Sequence, residues 1–174
     1  MATSKIAFDF NKPKAIETIL YLANRMSRSH KYNICKMLYL ADKACLEKYG
    51  RFIFGESYWA MKEGATPSKS YDLLKEIAGE CSEELRLEGN AVIPLRDANL
   101  DYLSESDIEC LDHTISIYDK KPEKMRRDAH DDAWKKAWDN RGEKGSADIS
   151  IRSIARTLAE SEDMIDYLTN RNVE

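Results

Sequence analysis

A chain of 174 residues with 43% hydrophobic residues, 33% charged residues and a net charge of -4 has the length of one compact domain with a single sizeable core, and is short for two. No apolar run approaches the roughly 18 residues of a membrane span, and the opening MATSKIAFDF lacks the basic start, apolar stretch and cleavage site of a secretory signal, so the expectation is a soluble, cytoplasmic protein. Cys35, Cys45, Cys81 and Cys110 form no CxxC pair, and His30, His113 and His130 show no ligand spacing to them, which argues for packed, reduced thiols and against a metal site or disulfide framework.

Asn11 before Pro13 predicts a helix start, and Ile16, Ile19, Leu20, Ala23 and Met26 recur at helical spacing as far as about Ser27. After the polar link SRSHK, the residues Ile34, Met37, Leu38, Ala41, Cys45 and Tyr49 define a second helix, with Gly50 where a C-terminal cap belongs. Phe52–Phe54 and Tyr58–Met61 are short, aromatic and separated by Gly55, which predicts two brief extended segments. Thr66 is placed to cap a third helix with Pro67 at its first position, and Tyr71, Leu74, Ile77 and Ala78 to form its buried stripe. GATP is thereby a turn from strand to helix.

Leu85–Leu87 and Val92–Leu95 flank Gly89-Asn90, the signature of a tight hairpin, with Pro94 confining its strand to an edge. Ser104 with Asp107 reads as a capping box ahead of Ile108, Leu111, Ile115 and Tyr118, a fourth helix that Pro122 stops. The segment EKMRRDAHDDAWKKAWDNRGEKG is charged and helical in character, has Trp134 and Trp138 one turn apart, and is closed by Gly142 and Gly145 before a loop. Ile151, Ile154, Ala155 and Leu158, then Met164, Ile165 and Leu168, mark two last helices. The fold class expected is α+β, mainly α-helical: one compact helical domain over residues 1–174 with a small antiparallel sheet or hairpin.

Enzyme chemistry has little to stand on. No phosphate-cradling glycine loop, nucleophile elbow, HExxH or paired-cysteine metal motif is present in the sequence, so no cofactor and no catalytic residue are assigned. His130-Asp131-Asp132 is the most enzyme-like cluster, but a histidine followed by acids in a helix's first turn is what capping and the helix dipole favour without chemistry. Catalysis would require His130, Asp42 and another polar group to meet in a closed pocket.

Charge is segregated along the chain. Residues 1–36 carry seven Lys/Arg against two Asp/Glu, whereas residues 37–119 carry eight against seventeen, a block of -9. The basic stretch KKPEKMRR and a helix-turn-helix reading of the first two helices would suit nucleic acid, but interspersed acids and a pI near 5.5 argue against it. Trp134 and Trp138 would serve as a stacking platform if exposed, although this spacing more often closes a core, which is the assignment for Trp134.

The runs KMLYLADKACLEKYGRFIFGESYWAMKEGATPSKSYDLLKEI, LSESDIECLDHTISIY and AHDDAWKKAW together resemble the Panacea domain family, the SocA-like antitoxins that include phage-associated GepA-like proteins. The most specific part is LYLADK with LEKYGR soon after, then Y-x-A-M-K and a Gly-x-x-Pro turn before YDLLK. Two departures from the family pattern are Phe52-Ile53-Phe54, where a proline usually follows YGR, and Gly64-Ala65-Thr66-Pro67 in place of Gly-Pro-Val-Pro, which bear on toxin specificity. The resemblance implies a mainly helical domain that neutralises a toxin encoded beside it by direct binding. The alternatives are an adaptor that delivers the toxin to a protease, and a DNA-binding regulator of phage or prophage origin.

The residues expected to be partner-binding are Asp42, Arg51, Tyr58, Trp59, Lys62, Gly64, Pro67 and Tyr71. Because strand side chains alternate, Tyr58 and Ala60 face one way and Trp59 and Met61 the other; Trp59 is the candidate for exposure. Arg51 and Asp42 are expected to be held near the turn as a paired, hydrogen-bonded support.

Overall fold

The computed structural model describes residues 5–171. Helix α1 (Lys12–Arg25) begins where the Asn11 side chain accepts a hydrogen bond from the Lys14 amide, with Pro13 in its first turn, a position where the missing proline N–H costs nothing. Helix α2 (Lys31–Tyr49) ends at Gly50, which takes a left-handed conformation and donates its amide to the Leu46 carbonyl. From Ile34 to Asp42 every residue of α2 is buried, so this helix is covered on all sides and not merely along one stripe. It is the axis of the molecule.

Around it lie the hairpin of β1 (Tyr58–Met61) and β2 (Gly64–Pro67), helix α3 (Ser68–Gly79), the hairpin of β3 (Leu85–Glu88) and β4 (Ala91–Pro94), and helix α4 (Glu105–Tyr118). Helices α5 (Pro122–Asp128) and α6 (Asp132–Asp139), strand β5 (Ala147–Ile149) and helices α7 (Ile151–Ala155) and α8 (Ser161–Arg171) follow. One continuous core draws residues from Ile6 to Leu168. β1 is the middle strand of a three-stranded antiparallel sheet ordered β2-β1-β5, with Tyr58 opposite both Pro67 and Ile149. The class expected from the sequence, mainly helical with small antiparallel sheets, is the one observed.

Several local expectations are corrected. GATP is not a turn: all four residues are buried in β2, the reversal falls at Lys62-Glu63, and α3 starts only at Ser68. Thr66 does not cap α3, since its hydroxyl donates to the Gly64 carbonyl. Pairing along the whole of β1 claimed these residues for the sheet. The buried face of α3 correspondingly comprises Ser70, Leu73 and Leu74, while Ala78 is exposed. Pro122 does not terminate α4; the chain turns at Lys120, which has a positive φ, and Pro122 opens α5, again at a first helical position. The loop expected after Gly145 contains β5, three residues specified by a distant partner and too short to show a period of two.

Phe52, Ile53 and Phe54 are all buried but pair in no strand. Residues 5–10 cover them: Phe8 packs on Phe52, Phe10 on Phe54, and the Asn11 amide donates to the Phe54 carbonyl. Three consecutive inward side chains cannot come from a two-sided pleat. Of the thiols, Cys35, Cys45 and Cys110 are buried as expected and Cys81 is exposed.

Gly55 is where that N-terminal segment comes closest. Its φ is +76°, and a Cβ there would lie 1.9 Å from the Asp9 carbonyl oxygen, so both the backbone conformation and the contact demand glycine. Gly55→Ala is expected to destabilise the protein by on the order of 3 kcal/mol in urea denaturation. Gly142→Ala, with a similar φ but open space around it, is expected to cost only about 1 kcal/mol. Equal costs would mean that the Asp9 contact does not constrain the site.

Candidate partner-binding site

Two buried carboxylates hold the segment that runs from the end of α2 into the β1–β2 hairpin. The first is Asp42 of α2, which is 1% exposed. It accepts hydrogen bonds from the Ile53 amide at 2.8 Å and from the Tyr58 hydroxyl at 2.6 Å. Tyr58 is fixed further by edge contacts to Tyr39 and Phe52, with ring centres 5.0 and 5.7 Å away. Burial without a cation pushes the Asp42 carboxyl up to about 7, against the opposing pull of those two donors.

The second support is Asp107, which closes the capping box of α4 with Ser104. Its side chain is fully buried and accepts from Lys14 Nζ at 2.7 Å and Arg51 Nη1 at 2.8 Å. Burial pushes the Asp107 carboxyl up, but Lys14, the Ser104 amide and Arg51 together hold it below the usual carboxylate range. Arg51 also reaches the Ser106 hydroxyl at 2.7 Å. Asp42 and Arg51 are thus both held in place, but the expected pairing between them is replaced by these two different sets of partners. Sequence spacing carried no sign of Asp107 as the partner, since it lies 56 residues beyond Arg51.

A third carboxylate escaped the sequence reading. Glu56, 2% exposed, accepts from the Ser70 hydroxyl and from the amides of Ser57, Lys69 and Ser70. It caps α3 from outside, satisfying first-turn N–H groups and complementing the positive end of the helix. The local signal was an α3 start without Ser, Thr, Asp or Asn in capping position once Thr66 joins the strand.

Above these supports, β1 alternates as expected: Tyr58 and Ala60 are buried, Met61 is half-buried and Trp59 is 38% exposed. Lys62 and Glu63 are exposed at the tip and Tyr71 is half-buried on α3. Asp42, Tyr58, Gly64 and Pro67 lie in the interior; within the group assigned to partner binding they shape the hairpin, and only Trp59, Lys62, Tyr71 and part of Arg51 reach the surface.

His130 belongs to the underside of the hairpin. A Cβ on Gly64, whose φ is +106°, would come within 2.8 Å of the imidazole. The ring meets Trp134 edge-on at 4.6 Å, Trp134 stacks with Trp138 at 5.6 Å, and Trp134 Nε1–H donates to the Met61 carbonyl. The N-cap of α6 is Asp131, which accepts from the Trp134 amide. His130 and Asp42 therefore have different neighbours and do not converge.

The sequence of residues 34–135 matches the family described as antitoxin SocA-like, Panacea domain. This stretch is more than half of the chain and runs from α2 through both hairpins to α6, including Asp42, Arg51, the β1–β2 tip and His130. The chain belongs to this SocA-like Panacea domain family. No curated protein and no solved structure matched it. Among the described residues no helix is long and apolar enough to cross a membrane.

The Asp42 support has a titration signature. The unfolded chain gives up this proton near pH 4, whereas the folded chain holds it to about 7. The folded state therefore binds more protons between those values, and this group's contribution to stability falls as pH rises across that window. Urea denaturation should show wild type losing on the order of 3 kcal/mol relative to Asp42→Asn between about pH 4 and 7. A difference constant with pH would contradict the raised value.

Proposed function

We propose that the protein is an antitoxin that neutralises a cognate toxin, encoded by a neighbouring gene, by direct contact through the exposed side of the β1–β2 hairpin and the adjoining face of α3. It acts by occupancy, without catalytic turnover of its own. The observation that carries this reading is Trp59: a large aromatic side chain, 38% exposed, on the central strand of a sheet whose opposite face is tied to α2 by Tyr58 and Asp42. Tryptophan on a preorganised element is the residue type that most often anchors a protein interface. Membership of an antitoxin family supplies the kind of partner.

The block of -9 over residues 37–119 supports the same reading from electrostatics. Toxins that act on RNA or nucleotides must present basic surface to polyphosphate, and an acidic partner is suited to cover it. Charges at a rim chiefly set the association rate, whereas a buried aromatic anchor sets dissociation.

Co-expression should abolish the growth arrest caused by the neighbouring gene product. In surface-based kinetics, raising salt is expected to slow association on the order of tenfold and leave dissociation nearly unchanged, while Trp59→Ala should speed dissociation about tenfold or more. If Trp59→Ala leaves dissociation untouched, the hairpin is not the contact surface. If association ignores salt, the acidic block is a solvated face only.

A further inference from the structure

One charge in the interior of α2 has no ion-pair partner in contact among the described residues, although Glu63 acts on it from a distance. Lys36 is 1% exposed, donates from Nζ to the Ala65 carbonyl at 2.8 Å, and stands 5.0 Å from the centre of the Tyr32 ring. An ammonium carries three donors, and among the described residues this one has a single hydrogen bond and no carboxylate partner. Its burial draws the group down to about 8, the direction expected of an uncompensated buried lysine. One helical turn earlier on the same face, the Tyr32 hydroxyl is buried and has no hydrogen-bond partner among the described residues. Two polar groups that normally demand partners are thus incompletely satisfied one turn apart on α2.

Both residues line a cavity of about 370 Å³ between the start of α2 and the β1–β2 tip. Lys31 and Lys62 lie on the same wall and Glu63 is its one acid, so the cavity is locally positive in a chain of net charge -4. His30, at the N-cap of α2, lines it too and gives the helix no side-chain hydrogen bond; the first helical amide, that of Lys31, donates to the Asn90 carbonyl, so the helix contributes its dipole to this region and not a free N–H there. The lining includes no arginine and no glycine, the elements that would build a fork or a backbone nest for phosphate. It does include Met61 and Tyr71, apolar surfaces suited to the methylene stem of an acidic side chain.

We propose that this cavity receives an aspartate or glutamate side chain of the toxin, its carboxylate accepting hydrogen bonds from the Lys36 ammonium and the Tyr32 hydroxyl. The inference rests on the antitoxin reading above and adds the chemistry of the contact. The acidic surface steers a basic partner to the hairpin, and the buried positive socket fixes its register, because only a partner with an acid at the right place can supply the missing counterion.

The arrangement predicts opposite effects on the free chain and on the complex. Removing a buried charge without an ion-pair partner relieves its desolvation cost, which offsets the lost bond to the Ala65 carbonyl, and removing a hydroxyl without a partner should not weaken the free fold. Lys36→Met is expected to leave the Tm of the free protein unchanged or higher, while binding of the purified product of the adjoining gene weakens at least tenfold through faster dissociation. Tyr32→Phe should keep the fold and weaken the same binding several-fold. A scan of the toxin's acidic positions should reveal one Asp or Glu whose replacement has a large effect with wild type and almost none with Lys36→Met, the coupling that marks direct contact. If wild type does not bind the toxin, the antitoxin reading itself fails and the pocket assignment falls with it. If wild type binds, unchanged affinity in Tyr32→Phe, or effects at every acidic toxin position that simply add to that of Lys36→Met, overturns the pocket alone.

Discussion

A single buried carboxylate organises the half of the molecule that carries the β1–β2 hairpin. Asp42 takes the Ile53 amide on one oxygen and the Tyr58 hydroxyl on the other, and so ties the middle of α2 both to the irregular segment after Gly50 and to the central strand of the sheet. Such a group is costly to bury and becomes tolerable only when its hydrogen bonds are made. The segment from Phe52 to Tyr58 therefore has one good arrangement over α2, in which Tyr58 faces inward and Trp59 outward. The remaining polar supports act on this frame: Asp107 gathers Lys14 and Arg51 behind it, and Glu56 fixes where α3 leaves the sheet.

How far the sequence revealed this depends on the range of each interaction. The long helices α1, α2 and α4 were legible because their apolar spacing, the Asn11 cap, the Gly50 stop and the Ser104–Asp107 box are all local signals. The inward Tyr58 and outward Trp59 followed from the period of two alone. GATP was misread because Thr-Pro ahead of a helix has the chemistry of a cap, and only pairing with β1 shows that Thr66 lies in a strand. β5 was missed for the same reason at greater distance, and the Arg51–Asp107 pair could not be guessed from residues so far apart. Nothing in the sequence set Lys36 apart; that its charge lies buried under the Ala65 carbonyl is visible only once β2 is in place.

The two tryptophans of α6 illustrate how a bland assignment and a specific one can both hold. Trp134 packs against the core, as expected of an i, i+4 pair, yet its indole N–H also holds the Met61 carbonyl at the end of β1. Together with His130 against Gly64, this braces the hairpin from beneath. The cluster that looked most like a catalytic centre in the sequence is part of the mounting of the exposed strand.

The order of strands has a consequence for how the molecule is made. β1 pairs with β2 almost at once, but its other edge must wait for β5, whose Ile149 lies opposite Tyr58. During synthesis a nascent chain that has already exposed Trp59 carries an open strand edge beside it until roughly ninety more residues have emerged, and unpaired edges of this kind invite adventitious partners. The sheet around Trp59 is therefore among the last parts to be closed, and a ribosome-bound fragment ending before Ala147 has the exposed tryptophan without the third strand that completes its sheet.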